Sequence, residues 1–238
     1  NHTPPYEMLR SLVGSEMCIR DSKKYMIKKI LFLSLLISSL AIQAAASGEN
    51  SEAKPLPKGN AANGAKLVGT CVACHGADGN SVVGQWPTLA GQRESYLFEQ
   101  LEHIRDEERI IAVMKGLLND YSDDELRDMA AFYAEQTTKV SRADDTNLAL
   151  GQKIYRAGNV ESGVPACTGC HGPAGKGLES AQYPMLGGQK AEYVVTSLIA
   201  YQTGERAIDE HGKIMQGIAT RLTVEEIRAV ANYVSGLY

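Results

Sequence analysis

Apolar residues recur at helical spacing in two well-separated stretches. Leu126, Met129, Ala130 and Tyr133, and again Ile227, Val230, Ala231 and Val234, fall at i, i+3, i+4 and i+7, the stripe that an amphipathic helix buries on one face. A start signal precedes each. Ser122-Asp123-Asp124-Glu125 and Thr223-Val224-Glu225-Glu226 are capping boxes, in which a hydroxyl and a carboxylate satisfy helix-end amides reciprocally. The spacing predicts two further helices over Arg93–Ile104 and Ala191–Tyr201, and strand-like alternation is scarce, so the chain is expected to be mostly α.

A different pattern marks the N-terminus. Met26-Ile27-Lys28-Lys29 leads into an apolar run from Ile30 to Ile42 and then Ala44-Ala45-Ala46, the basic start, short apolar core and small-residue cleavage site of a secretory signal. The run is shorter than the roughly 20 residues of a spanning helix. Residues 26–46 are therefore read as a signal peptide cleaved after Ala46, with a retained anchor as the alternative. Residues 1–25 follow neither periodicity and read as a non-native or artefactual leader, Cys18 with them.

Beyond the signal the chain repeats itself. Cys71-Val72-Ala73-Cys74-His75 and Cys167-Thr168-Gly169-Cys170-His171 each sit in a matched frame. Gly64-Ala65-Lys66-Leu67 precedes the first as Gly151-Gln152-Lys153-Ile154 precedes the second; Trp86-Pro87-Thr88-Leu89-Ala90-Gly91-Gln92 follows one as Tyr183-Pro184-Met185-Leu186-Gly187-Gly188-Gln189 follows the other, and Tyr96 matches Tyr193. This is an internal duplication. The polar, aperiodic stretch 137–146 reads as a linker, which places domains at 61–136 and 147–238. Units this small bury little apolar surface and need a staple or a large prosthetic group.

Charge narrows the partners. Residues 1–46 hold six of the 24 Lys and Arg and three of the 28 Asp and Glu, so the remainder carries a net charge of −7. Nucleic-acid binding is not expected of such a chain. An acidic surface suits electrostatic choice of a basic protein patch, although solubility alone would look the same.

Four cysteines in an exported chain would by default form two disulfides, but C-x-x-C-H offers two thiols to the haem vinyl groups and holds the adjacent histidine under the iron. Two such motifs in matched repeats predict two covalently attached haem c groups on Cys71, Cys74, His75 and on Cys167, Cys170, His171. A zinc site or a redox dithiol is the weaker reading. For the sixth iron ligand the candidates are Met114, Met129, Met185, Met215, His103 and His211. Only Met114 and Met215 correspond between repeats, in Val113-Met114-Lys115-Gly116 and Ile214-Met215-Gln216-Gly217, each eight residues before its capping-box hydroxyl. Both are assigned as axial ligands in loops; the others keep the reading of core methionine or ordinary histidine. His/Met ligation closes both irons and favours a relatively high potential, so electron transfer is expected rather than catalysis. A dihaem peroxidase, which needs one iron that can be freed, is the enzyme alternative. Pro87 and Pro184 are candidates to offer a carbonyl to the proximal histidine's other nitrogen, with an ordinary turn proline equally open. Gln92, Gln189, Tyr96 and Tyr193 are candidate haem-propionate partners, with helix capping or core tyrosine as the equal alternative.

Taken together, the two C-x-x-C-H sequences, the two Pro-x-Leu-x-Gly-Gln segments and the methionine-bearing segments resemble the cytochrome c4 family of dihaem class I cytochromes c. The resemblance covers essentially all of 61–238. It implies two tandem cytochrome c domains related by pseudo-twofold symmetry, with haem propionates meeting at their interface. It further implies a periplasmic electron carrier, loosely membrane-associated, taking electrons from quinol–cytochrome c reductase or a dehydrogenase and feeding a terminal oxidase. Two departures stand out: 39 residues separate His75 from Met114 against 44 from His171 to Met215, and the second repeat inserts Arg156 to Pro165. The cytochrome subunit of a flavocytochrome c sulfide dehydrogenase-type complex looks similar, and would accept electrons from a flavoprotein.

Overall fold

The two apolar stripes become the closing helices of two similar helical halves. A computed structural model describes residues 57–238; the expected leader, 1–25, and signal peptide, 26–46, lie outside them. The first half comprises α1 (Ala61–Leu67), a single turn α2 (Val72–His75), α3 (Glu94–Arg105) and α4 (Asp123–Ala134). The second comprises α5 (Leu148–Ala157), the turn α6 (Thr168–His171), α7 (Ala191–Thr203), α8 (Glu210–Ala219) and α9 (Val224–Ser235). Among the described residues, strand pairing is limited to two isolated bridges, Asn159 with Val164 and Leu178 with Tyr183. None of their helices is long and apolar enough to cross a membrane.

Both capping boxes form. The Glu125 amide donates to Ser122 Oγ at 3.4 Å while the Ser122 amide donates to the Glu125 carboxylate at 2.9 Å. At α9 the Glu226 amide donates to Thr223 Oγ1 at 3.2 Å and the Thr223 amide to the Glu226 carboxylate at 2.8 Å. The stripe residues are then buried: Leu126, Met129, Ala130 and Tyr133 pack with Val68, Leu97 and Leu118. Ile227, Val230, Ala231 and Val234 pack with Ile154, Tyr155 and Val164.

In each half the first helix crosses the last, α1 on α4 and α5 on α9. The matched glycines Gly64 and Gly151 sit at these crossings, where a Cβ would be driven into the Asp128 and Ala229 carbonyls respectively. Backbone approach this close has room for no side chain, which accounts for a glycine inside a helix despite its cost of about 1 kcal/mol.

The linker 137–146 carries no helix, yet it is fastened to both halves. Asn80 donates to the Thr137 carbonyl and accepts from the Lys139 amide, and Thr138 donates to the Ala90 carbonyl. Asn232 accepts from the Asp144 amide and donates to the Asp144 and Thr146 carbonyls. The inserted segment of the second half turns back through paired Asn159–Val164 backbone bonds, and Asn159 donates to Glu226 at the start of α9.

Candidate haem sites and the surface that joins them

Each C-x-x-C-H motif forms one helical turn. The His75 amide bonds to the Cys71 carbonyl and the His171 amide to the Cys167 carbonyl, both at 2.9 Å, so two thiols and an imidazole issue from the same short segment. All four of these thiols are free. Burial pushes the Cys167 thiol up to about 11 and Cys71 upward as well.

His75 is 8 % exposed and His171 7 %. Their Nδ1 atoms lie 2.9 Å from the carbonyl oxygens of Pro87 and Pro184. A carbonyl only accepts, so it fixes the proton on Nδ1 and leaves the Nε2 lone pair for a metal. Burial, partly offset by that bond, lowers both imidazole pKa values and keeps the rings neutral, as a metal ligand must be.

Met114 ends a short 3₁₀ turn, Ala112–Met114, and packs on the first core. Met215 lies inside α8, not in a loop as its surroundings in the sequence suggested; the extra residues of the second half are spent on this helix, opened by an Asp209 cap on the Gly212 amide. His211 is likewise helical and meets Tyr183 edge-on at 5.7 Å. The remaining candidates have other surroundings. Met129 is core, Met185 is buried near Thr138, and His103 Nε2 sits 3.3 Å from Asp209 of the second half.

Gln92 and Gln189 are committed to the opposite half's backbone. Gln92 accepts from the Met185 amide at 2.7 Å and donates to the Met185 carbonyl at 3.0 Å. Gln189 does the same to Thr88, at 2.8 and 2.9 Å. Since Thr88 and Met185 are matched positions, the two bonds are mirror copies. Around them, Glu179 accepts from the Glu94 and Ser95 amides that open α3, and the Tyr193 amide donates to the Gly84 carbonyl. Tyr96 and Tyr193 face each other's half through two arginines. Arg206 donates to Tyr96 Oη at 2.5 Å and to Tyr193 Oη at 3.4 Å, and Arg109 donates to Tyr193 Oη at 3.2 Å. Sequence reasoning missed both arginines. The available signal was register, since each follows its tyrosine by thirteen residues.

This fold, with a thiol pair and a thiol-adjacent buried imidazole in each half, defines a two-site c-type haem protein. The cytochrome c family model matches residues 61–136 and 148–237. Cytochrome c4 of Pseudomonas aeruginosa is 45 % identical over 180 residues, 76 % of this chain and 90 % of the relative. The crystal structure of reduced recombinant cytochrome c4 from Pseudomonas stutzeri, 40 % identical, superposes with a TM-score of 0.74 over 76 % of this chain and all of that one. A thiosulfate dehydrogenase electron acceptor of Thiomonas intermedia is 34 % identical over 70 % of this chain and 77 % of the relative. The chain belongs to the cytochrome c4 family. It is a dihaem electron-transfer cytochrome with two covalently bound haem c groups, and the donor set in each half fits that attachment.

Proposed function

We propose that the protein is a periplasmic single-electron carrier in which His75 and Met114 hold one haem iron and His171 and Met215 the other. Cys71, Cys74, Cys167 and Cys170 tether the two porphyrins. Each haem, when bound, supplies a one-electron iron couple. The observation that carries the reading is the duplicated proximal geometry, in which both imidazoles are buried, neutral and oriented by a proline carbonyl at the same distance. That arrangement fixes a ligand firmly, and a methionine in equal register before the closing helix supports a second protein ligand in each half. Irons closed on both faces bind no substrate, so the carrier passes electrons from quinol–cytochrome c reductase or a dehydrogenase to a terminal oxidase.

Carbon monoxide added to the reduced, haem-loaded protein tests this. The visible spectrum is expected to stay unchanged, whereas Met114→Ala and Met215→Ala should each bind carbon monoxide at about half of the haem. Rapid binding by the unmodified protein would replace the carrier reading with a peroxidase-like one.

A second reading, service as the electron acceptor of one dehydrogenase, is supported by the 34 % identity to a thiosulfate dehydrogenase electron acceptor. Stable co-purification with a flavoprotein dehydrogenase, rather than transient exchange with several partners, would select it.

A further inference from the structure

Away from the cysteine motifs, a second set of metal-ligating side chains gathers where α3 of the first half meets the start of α8 in the second. Glu99 and His103 are four residues apart on α3 and so share one face of it. Asp209 is the residue that caps α8. The three bring two carboxylate oxygens and one ring nitrogen within 4.8 Å of one another. The set is sheltered, with the His103 side chain 15 % exposed and that of Asp209 21 %. Neither carboxylate is matched by a lysine or arginine in the ion pairs formed by the described residues.

Each ligand atom is oriented by a partner behind it. His103 Nδ1 bonds to the Glu108 carboxylate. A carboxylate only accepts, so it holds a proton on Nδ1 and leaves the Nε2 lone pair, the arrangement that outer carboxylates impose on metal-bound histidines. His103 Nε2 is buried, has no hydrogen-bond partner and points at Asp209 Oδ2 from 3.3 Å. Asp209 is itself held, because its Oδ1 accepts from the Gly212 amide, which turns Oδ2 toward the imidazole. A lone pair and a carboxylate oxygen repel at this range unless a cation lies between them. Burial first, and the Asp209 carboxylate second, push the Glu99 carboxyl above its ordinary range despite the nearby His103 and His211, as expected where negative charge is crowded without a counter-cation.

We propose that Glu99, His103 and Asp209 form a binding site for a divalent transition-metal ion of the zinc class, with Glu108 positioning the imidazole from behind. One nitrogen and two carboxylate oxygens are a three-ligand zinc set that leaves a fourth position for water. Magnesium and calcium take oxygen ligands and gain little from the imidazole. Two ligands come from α3 and one from the cap of α8, so the ion staples the first half to the second. It also fixes the start of the helix on which Met215 stands. The site uses neither the thiols nor the two proximal histidines, and the proposal does not rest on the carrier reading.

The test takes the haem-loaded full chain, whose four motif thiols are committed to the porphyrins, strips it with a chelator and titrates it with zinc chloride by calorimetry. One saturable zinc per chain is expected, with magnesium binding far more weakly. Asp209→Asn keeps the helix cap, since asparagine caps as well as aspartate, and Glu99→Gln keeps the volume. Each of these, and His103→Gln, should weaken zinc binding by about tenfold or more, the loss typical of disturbing even an outer partner. Glu102→Gln, on the same helix but outside the set, should leave it unchanged. Zinc should also raise the Tm of the unmodified protein by more than that of Asp209→Asn. X-ray absorption at the zinc edge needs no variant, and should show one imidazole with oxygen neighbours at about 2.0–2.2 Å. Sulfur at about 2.3 Å, or no imidazole, would overturn the site. So would a lack of saturable binding, equal affinity for magnesium, an equal loss in Glu102→Gln, or zinc affinity untouched by His103→Gln and Asp209→Asn; His103 would then be an imidazolium paired with its carboxylates. Carbon monoxide binding reads the irons separately, so failure of the carrier reading and failure of the metal site are distinguishable.

Discussion

At the scale of single residues, the sequence carried the chemistry that depends on spacing and lost the chemistry that depends on packing. Cys71, Cys74 and His75 are legible because three functional atoms must issue from one helical turn, and that constraint is local. Pro87 and Pro184 were candidates because they sit at equal offsets from matched histidines, and their carbonyls do face Nδ1 in both halves. The role of Gln92 and Gln189 stayed open for the opposite reason: their partners are 93 and 101 residues away, and only the assembled halves show that the amides satisfy buried backbone. This makes a quantitative expectation. Gln92→Ala leaves the Met185 amide and carbonyl buried without partners, which costs about 1–3 kcal/mol for each unsatisfied group, and chemical denaturation should register a loss of at least the lower figure. Gln92→Glu should be no better, because a carboxylate cannot donate to the Met185 carbonyl.

At the scale of elements, capping boxes and apolar stripes placed α4 and α9, and the start of each agrees with the structure because its cap is written in four consecutive residues. Helix α8 was not legible. Its segment, Glu210–Ala219, contains two glycines, and a helix with weak local preference owes its form to tertiary contact, here with α7. Two element-level outcomes are expected. Gly151→Ala should destabilise the second half by about 1–3 kcal/mol, the usual cost of forcing bulk into a closed contact, readable as a lower Tm. Thr223→Ala should cost about 1 kcal/mol at neutral pH, with a pH dependence of fixed sign. The Thr223 amide's hydrogen bond, ahead of the opposing effect of burial, holds the Glu226 carboxyl below its ordinary range near 4.5. Its stabilising contribution is therefore full above that range and is lost as pH falls through the lowered value. The main-chain donor survives in Thr223→Ala, so the unmodified protein and the variant should both lose this contribution on acidification, and a stability that stayed constant down to pH 3 would rule out the capping carboxylate as its source.

At the scale of the whole molecule, duplication was plain in the sequence while the intimacy of the halves was not. The stretch 137–146 has the composition of a loose tether, yet Asn80 and Asn232 bind it down from either side. With the glutamine pins, the Glu179 contact and the arginine cluster, the described residues form one compact unit. Differential scanning calorimetry of the haem-loaded protein is therefore expected to give one cooperative transition, with calorimetric and van't Hoff enthalpies equal. Adding Gln92→Ala and Gln189→Ala together should separate it into two. Two transitions in the unmodified protein would mean that the interface couples the halves only weakly.

The glutamine pins also speak about symmetry. A contact in which position 92 holds position 185, while its counterpart 189 holds position 88, has the self-complementary form of a twofold homodimer, where one patch meets its own copy. A single domain that carries both the glutamine and the main-chain edge has what it needs to pair with its own copy. Because the acceptor and donor are main-chain atoms, threonine at 88 and methionine at 185 can differ without unfastening the bond. The two haem surroundings are thereby free to be unequal while the seam between the halves keeps one form.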